Sequence, residues 1–284
     1  MKYLIIPDVH NRWEVAETII NKVKPDITIF LGDYFDDFGD NPGIVSDTAD
    51  WFKESVYKKD RIHLCGNHDA HYWFKDNIRT RCSGYEQFKS IAINDVLTRK
   101  DWEQLKFFHV LDGKWLLSHA GVHPVWIDPD SFKSSNISSA KLSDVVGKLE
   151  YDSIQATKNL YANGEHWFTY AGFSRSSRSR SYGGLLWCDW TQEFSPIRGI
   201  HQIVGHTPQR SLKWVVAQKD VEQYGILLLE DTSVTTTFGN NVMFNQTLSD
   251  ENSYNICLDS HPGSQYYAIY ENGALTINKT CDLK

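Results

Sequence analysis

The chain has 284 residues, 41% hydrophobic and 23% charged, with ten Trp, fourteen Tyr and fourteen Phe, which is enough to bury one large core and excludes a disordered chain. A formal charge of -7 argues against a surface built for general attraction to nucleic acid or an anionic membrane, and leaves nucleic acid a disfavoured substrate. The five cysteines (Cys65, Cys82, Cys188, Cys257, Cys281) are scattered and form no CxxC pair, so neither a disulfide framework nor a cysteine zinc site is expected, and a reducing, cytoplasmic setting fits best.

Tyr3 to Ile6 is an apolar run that Pro7 and Asp8 break too early for a signal sequence or a membrane span, so it reads as a buried strand. A polar DVHNR turn follows, then a helix from Trp13 to Val23 with Val15, Ile19 and Val23 on one face. Ile27 to Leu31 is a second strand ending at Gly32-Asp33, and Arg61 to Cys65 a third ending at Gly66-Asn67, with helical sequence between them. Strands alternating with helices imply a largely parallel sheet buried on both faces. Trp115 to Ser118, Gln202 to Val204, Ile226 to Leu229, Tyr254 to Leu258, Tyr266 to Tyr270 and Ala274 to Ile277 continue the strands, the last two joined by the hairpin signal Glu271-Asn272-Gly273. Between Asp128 and Trp167 the apolar spacing Leu142, Val145, Val146, Leu149 marks an amphipathic helix expected to cover the sheet. Ser174 to Tyr182, SRSSRSRSY, reads as an exposed basic loop.

Polar residues of one chemical kind follow those strands: Asp8-Val9-His10, then Gly32-Asp33-Tyr34-Phe35-Asp36-Asp37, Gly66-Asn67-His68-Asp69, Ser118-His119-Ala120-Gly121 and Gly205-His206-Thr207-Pro208. The carboxyl ends of strands in an open α/β sheet face one crevice, so side chains distant in sequence can converge there. Alone, His119 or His206 would be a turn or core residue; joined to the carboxylates and an amide, both become candidate metal ligands. Mixed nitrogen and oxygen donors suit Mn, Fe, Zn, Co or Ni better than calcium, and the lack of thiolates argues against structural zinc. Two ions roughly 3.5 to 4 Å apart would neutralise both the attacking and the leaving oxygen of a displacement at phosphorus.

In this order and spacing, DxH, GDxxD, GNHD, HAG and GHTP resemble the calcineurin-like metallophosphoesterase superfamily across residues 8 to 208. LSHAG, the LLWCD at 185 to 189 and GHTP are most similar to its phosphoprotein-phosphatase branch, which includes phage and bacterial serine/threonine phosphatases and symmetrical dinucleoside-tetraphosphatases. The resemblance implies a single α/β domain over 1–284, built as two facing mixed β-sheets flanked by helices in four α/β/β/α layers, with a covering segment around 124–184. It makes Asp8 and His10 ligands of a first metal, Asp33 the bridge, and Asn67, His119 and His206 ligands of a second, with manganese the favoured ion. His68 matches the general acid, Asp69 would orient its imidazole, and a hydroxide bridging the metals would be the nucleophile.

Two departures bear on substrate. The branch usually continues its second motif as Asp-Arg-Gly, with the arginine gripping phosphate, whereas this chain has Asp36-Asp37-Phe38. Arg175, Arg178 and Arg180 are the substitute clamp that the resemblance offers, a solvated loop being the plainer reading of the same stretch. Asp36 stands open between a structural bond holding its loop and a role beside the metals, while Asp37 reads as structural. Pro208 replaces the second histidine that nuclease and phosphodiesterase branches place there, which favours the phosphatase side. The expected activity is hydrolysis of a phosphate monoester, on a phosphoprotein or a small phosphorylated metabolite, without a membrane partner. The alternatives are a hydrolase of phosphodiesters or phosphoanhydrides (cyclic nucleotides, dinucleoside polyphosphates, nucleic-acid ends) and a non-catalytic binding scaffold, the last disfavoured because every expected ligand type is present.

Overall fold

The computed structural model describes residues 1–128, 140–175, 177, 180–197, 199–208, 226–228, 242–245, 253–259 and 266–280. Among them, the strands are β1 (Lys2–Ile6), β2 (Ile27–Phe30), β3 (Arg61–His63), β4 (Phe108–Leu111), β5 (Trp115–Ser118), β6 (His201–Val204), β7 (Ile226–Leu228), β8 (Val242–Asn245), β9 (Ser253–Cys257), β10 (Tyr266–Glu271) and β11 (Ala274–Lys279). The helices are α1 (Trp13–Val23), α2 (Pro42–Ser55), α3 (Asn67–Trp73), α4 (Gln87–Val96), α5 (Arg99–Trp102) and α6 (Leu142–Tyr161). Leu229, Arg178 and Cys281 lie outside the described residues.

The strands form two mixed sheets flanked by helices, ordered β3-β2-β1-β10-β11-β7 and β4-β5-β6-β9-β8. The sheets are less parallel than the alternation of strands and helices predicts. β1, β2 and β3 run parallel, but β10 joins β1 antiparallel and brings its hairpin partner β11 with it. The hairpin turns at Asn272 and Gly273, with φ of 53° and 82°; a two-residue turn of this kind needs positive φ at both positions. In the second sheet β5, β6 and β9 are parallel, with β4 and β8 antiparallel at its edges.

Side-chain parity explains the continuous apolar runs. Ile5, Ile29 and Leu31 pack with Trp115, Leu117, Ile203 and Ile256 in a core shared by the two sheets. Their neighbours Leu4, Ile6 and Phe30 point the other way, into a core with Ala16 and Ile19 of α1 and Phe52 of α2. Leu116 does the same in the second sheet, sharing a core with Val145, Leu149, Ala156 and Leu160 of α6, so that helix covers the sheet. Each such aliphatic burial contributes about 1.5–3 kcal/mol. His63, which the sequence leaves without a motif, is a core residue: it stacks on Phe30 with centroids 4.5 Å apart, and its ring nitrogens meet Ser55 Oγ and Tyr34 Oη, each at 3.0 Å. The described part of the SRSSRSRSY stretch differs from an exposed loop, since Arg175, Ser177, Arg180 and Tyr182 are half-buried.

Candidate metal centre

The polar motifs stand just beyond the carboxyl ends of five strands: Asp8 and His10 after β1, Asp33 after β2, Asn67 and His68 after β3, His119 after β5 and His206 after β6. The two sheets meet there through direct bonds. His119 Nδ1 donates to Leu31 O at 2.9 Å, and the His206 amide donates to both oxygens of Asp8 at 3.0 Å. His10, Asp33, Asp36 and His206 all have left-handed backbones, with φ of 42°, 50°, 66° and 69°. Such a conformation costs a non-glycine residue about 1–3 kcal/mol and persists only where surrounding contacts enforce it. The loops press closely enough that a Cβ on Gly66 would run into Asp33, which fixes glycine at the head of the third motif.

Asp8, His10 and Asp33 offer donor atoms that lie within 4.8 Å of one another, and so do Asp33, His119 and His206, so Asp33 belongs to both groups. His10 gives its Nδ1 proton to the carbonyls of Phe35 (2.9 Å) and Asp36 (2.7 Å), which leaves Nε2 as a bare acceptor 3.8 Å from Asp33 Oδ2. His119, with its proton directed at Leu31, turns Nε2 to Asn67 Oδ1 at 3.0 Å, His206 Nδ1 at 3.2 Å and Asp33 Oδ2 at 3.3 Å. Asn67 points its amide nitrogen at Cys82 Sγ (3.7 Å), leaving Oδ1 to face both imidazoles, with His206 Nδ1 at 2.9 Å. Buried acceptors gathered in this way repel one another unless a cation lies among them.

The electrostatics have the same sign. Burial, Asp259 and Asp33 together push the Asp8 carboxyl well above the usual range, while Asp33, although buried, is held low by His119, His68 and His10. Burial alone would lower the His119 pKa, yet Asp33 and Asp8 lift it to about 9, so the cluster draws in positive charge. His206 is driven the other way by burial, His119 and Arg175, which keeps it in the neutral form that can act as a ligand. A set of carboxylates, imidazoles and one amide oxygen, with the His10 and His119 protons fixed by backbone carbonyls, fits divalent transition ions.

His68 lies beside this cluster, and its orienting carboxylate differs from the one the sequence points to. His68 Nδ1 is 2.9 Å from Asp36 Oδ2, not against Asp69. Asp36 also accepts from Tyr72 Oη at 2.6 Å and Lys89 Nζ at 3.2 Å, and its Oδ2 lies 2.9 Å from His71 Nε2. Burial would raise the Asp36 pKa, but hydrogen bonds from His68 and His71 hold it below the ordinary carboxylate range. His68 is half-buried, and although desolvation lowers its pKa, Asp33, Cys82 and Asp36 raise it, favouring the protonated ring. Asp69 instead accepts from three backbone amides, those of Asp33, Tyr34 and Gly66, each at 2.8 Å, and so ties the second motif to the third.

The candidate arginines separate. Arg175 Nη2 is 3.1 Å from Asp189 Oδ2 of the LLWCD segment, and its charge reaches His206. Arg180 stacks on Tyr170 at 3.5 Å and pairs with Glu165 at 2.8 Å. Asp37 is structural, accepting from Arg12 Nε (3.0 Å) and Nη2 (2.8 Å), so its charge is countered. Residues that sequence reasoning missed include Arg12, Cys82 and Asp259. Asp259 follows β9 and its charge bears on Asp8, so the strand-end rule that pointed to the other candidates would have flagged it. Trp187 crosses the His206 ring edge-on at 5.8 Å.

The family profile of calcineurin-like phosphoesterases matches residues 1–210. No curated protein matches the chain. Among solved structures, it is similar to a metallophosphoesterase from Sphaerobacter thermophilus at 18% identity, with 98% of this chain and 87% of that one covered and a TM-score of 0.42. It is also similar to a protein serine/threonine phosphatase from Saccharomyces cerevisiae (14% identity, 98% and 79% covered, TM-score 0.44) and to a putative diadenosine tetraphosphatase (14%, 98% and 93%, TM-score 0.42). No described helix is long and apolar enough to cross a membrane.

Proposed function

The chain belongs to the calcineurin-like phosphoesterase family, and on that premise we propose that it is a phosphatase, hydrolysing phosphate monoesters of a protein or a small metabolite with two divalent metal ions. The observation that carries this reading is the pair of donor groups, Asp8/His10/Asp33 and Asp33/His119/His206, sharing one carboxylate, with Asn67 Oδ1 completing the second. Such an oxygen and nitrogen set suits Mn, Fe, Zn, Co or Ni, and the family resemblance makes manganese the favoured one. Ions held there would supply Lewis-acid activation of water and neutralise the charge building on the phosphoryl oxygens.

The chain's own residues would do the rest. Protonated on Nδ1 by its bond to Asp36, His68 would present Nε2–H to the leaving oxygen and donate the proton as the ester bond breaks. Asp36 would stabilise the charged ring, and Lys89 and Tyr72 would hold that carboxylate in place. Asp69 would act only by fixing the backbone that carries Asp33. Arg175 is the better clamp for the substrate phosphate: each arginine holds a carboxylate, Arg175 that of Asp189 and Arg180 that of Glu165, but it is the Arg175 charge that bears on His206. The four described cysteines are all free, in keeping with a reducing, cytoplasmic setting.

Cleavage of a diester or an anhydride is the second reading, favoured by Asp37, which leaves the loop without the arginine expected to grip a terminal phosphate. Elemental analysis combined with turnover of 4-nitrophenyl phosphate and its bis ester, with manganese added and then chelated, tests both. Two ions per chain and chelator-sensitive turnover preferring the monoester is the expected result. A preference for the bis ester moves the assignment to the diesterase, and turnover indifferent to chelation refutes the metal centre.

A further inference from the structure

Next to the proposed pair of ions is a third group of donors, of which the phosphatase reading uses only His68. Cys82 Sγ lies 3.2 Å from His71 Nδ1 and 3.9 Å from His68 Nδ1. One nitrogen of each ring and the sulfur fall within 4.8 Å of one another. Bond lengths of about 2.3 Å to sulfur and 2.0–2.1 Å to nitrogen place the donors of a tetrahedral zinc about 3.5 Å apart, between the two distances observed. His71 is fully buried and has its other nitrogen, Nε2, 2.9 Å from Asp36 Oδ2, which places a carboxylate on the far side of the ring. Cys82 is partly exposed and the His68 side chain is 18% exposed, so an ion has a way in and a fourth position can be taken by water.

We propose that His68, His71 and Cys82 form a third metal site, distinct from the pair bridged by Asp33, which takes a thiophilic ion of the zinc type and switches hydrolysis off. The donor set selects the ion: a thiolate with two imidazoles favours Zn²⁺ over the Mn²⁺ or Mg²⁺ that suit carboxylate and carbonyl oxygens. Binding displaces the thiol proton to solvent. It also uses the His68 nitrogen that now holds Asp36, so the imidazole must exchange its carboxylate for the ion. The inhibitory half of the proposal therefore rests on the reading of His68 as the proton donor, and the binding half does not. Sequence spacing conceals the site, since the three residues come from α3 and from a turn eleven positions beyond His71.

The test uses the full chain loaded with Mn²⁺ and titrated with Zn²⁺ in equilibrium dialysis, with iodoacetamide labelling of Cys82 located by mass spectrometry and turnover of 4-nitrophenyl phosphate followed in parallel. In the wild type, one Zn²⁺ beyond the pair is expected, together with protection of Cys82 from alkylation and loss of turnover. Cys82→Ala is expected to bind one ion fewer, and whatever Mn²⁺-supported turnover it retains is expected to need at least about tenfold more Zn²⁺ for inhibition than that of the wild type. Co²⁺ in place of Zn²⁺ adds a thiolate-to-metal charge-transfer band that the variant lacks. If Cys82→Ala misfolds, wild-type protein alkylated at Cys82 serves as the second form and is expected to lose the same ion. Equal stoichiometry in both forms, or unprotected Cys82 at saturating Zn²⁺, overturns the site. A third ion bound through Cys82 with turnover intact overturns the switch and the role given to His68, while two ions and chelator-sensitive turnover would still stand for the phosphoesterase.

Discussion

Replacing Asp36 with asparagine separates the carboxylate that acts on His68 from the one beside it in sequence. Asp36→Asn removes a charge-assisted bond of 2.9 Å from the His68 ring, worth about 1.5–3 kcal/mol, or roughly 10- to 150-fold in rate if it is fully expressed as the proton is donated. The fold should bear the change, because Lys89 keeps Asp40 at 2.9 Å and Tyr72 Oη can still donate to the new amide oxygen. The structural cost is then about 1–3 kcal/mol rather than the 3–5 kcal/mol of an ion pair broken outright. The assay is kcat/KM for 4-nitrophenyl phosphate against phenyl phosphate, with the melting temperature measured on the same preparations. Phenolate is the poorer leaving group and needs the proton more, so Asp36→Asn should slow phenyl phosphate about tenfold more than the nitrophenyl ester. Asp69→Asn should behave differently. An amide can accept through only one oxygen where three backbone N–H groups now converge, so at least one is left facing another donor, at about 1–3 kcal/mol each. Its loss should appear as lower stability and lower metal content, equal for both esters. An equal loss on both esters in Asp36→Asn, or a leaving-group-dependent loss in a well-folded Asp69→Asn, would refute the assignment.

Asp33→Asn and His206→Ala should each lower the metal content by at least one ion per chain and abolish hydrolysis, Asp33→Asn affecting both ions because its carboxylate is shared; wild-type turnover in Asp33→Asn would end the two-ion reading. Arg175→Ala should raise KM about 10- to 100-fold, the value of a charge-assisted phosphate contact, with kcat less affected, whereas Arg180→Ala should leave KM within about twofold. Burial and the Arg61 charge lower the His63 pKa to about 3, so the folded state binds fewer protons than the unfolded state wherever pH falls below about 6.5. Its stabilising contribution is therefore complete at neutral pH and is lost as pH falls from about 6.5 towards 3, amounting to about 2 kcal/mol by pH 5. Urea unfolding at pH 7 and pH 5 should show that loss in the wild type and a drop smaller by a comparable amount in His63→Gln.

The candidate ligand positions stood out in the sequence because two local signals coincide at each: an apolar run too short for anything but a strand, and an Asp, Asn or His immediately beyond it. Parallel strands bring those ends together whatever the chain does in between, so Asp8, Asp33 and Asn67 converge by the topology of one sheet and His119 and His206 by that of the other, while the meeting of the two sets depends on how the sheets pack and on the bonds from His119 to Leu31 and from His206 to Asp8. The partner of His68 could not follow from adjacency. His68 and Asp69 are successive residues of α3, and successive helical residues point about 100° apart, so they do not face each other. A carboxylate at the third position of a helix usually turns back to the amide before its first turn, as Asp69 does with Gly66. That rule was available from the sequence and argues against Asp69, while the long-range approach of Asp36 only the fold reveals.

Asp37 is the other departure that a local reading misjudges. In the sequence it is an acidic residue where a phosphate-gripping arginine is expected, and it should repel an anionic substrate. In the folded chain it is half of an exchange. Arg12, at the start of α1, reaches across to Asp37 with two nitrogens, so the cation at this rim comes from the first loop and the anion from the second. The pair leaves little net field to oppose a phosphate, and it keeps a guanidinium at the rim although the family's arginine is missing. Its contribution to binding depends on whether substrate can draw Arg12 off Asp37. Arg12→Ala measures this: it leaves the Asp37 charge uncompensated, and should raise KM for 4-nitrophenyl phosphate by more than Asp37→Asn lowers it. Equal KM values in all three proteins would make the pair purely a brace between the first two loops.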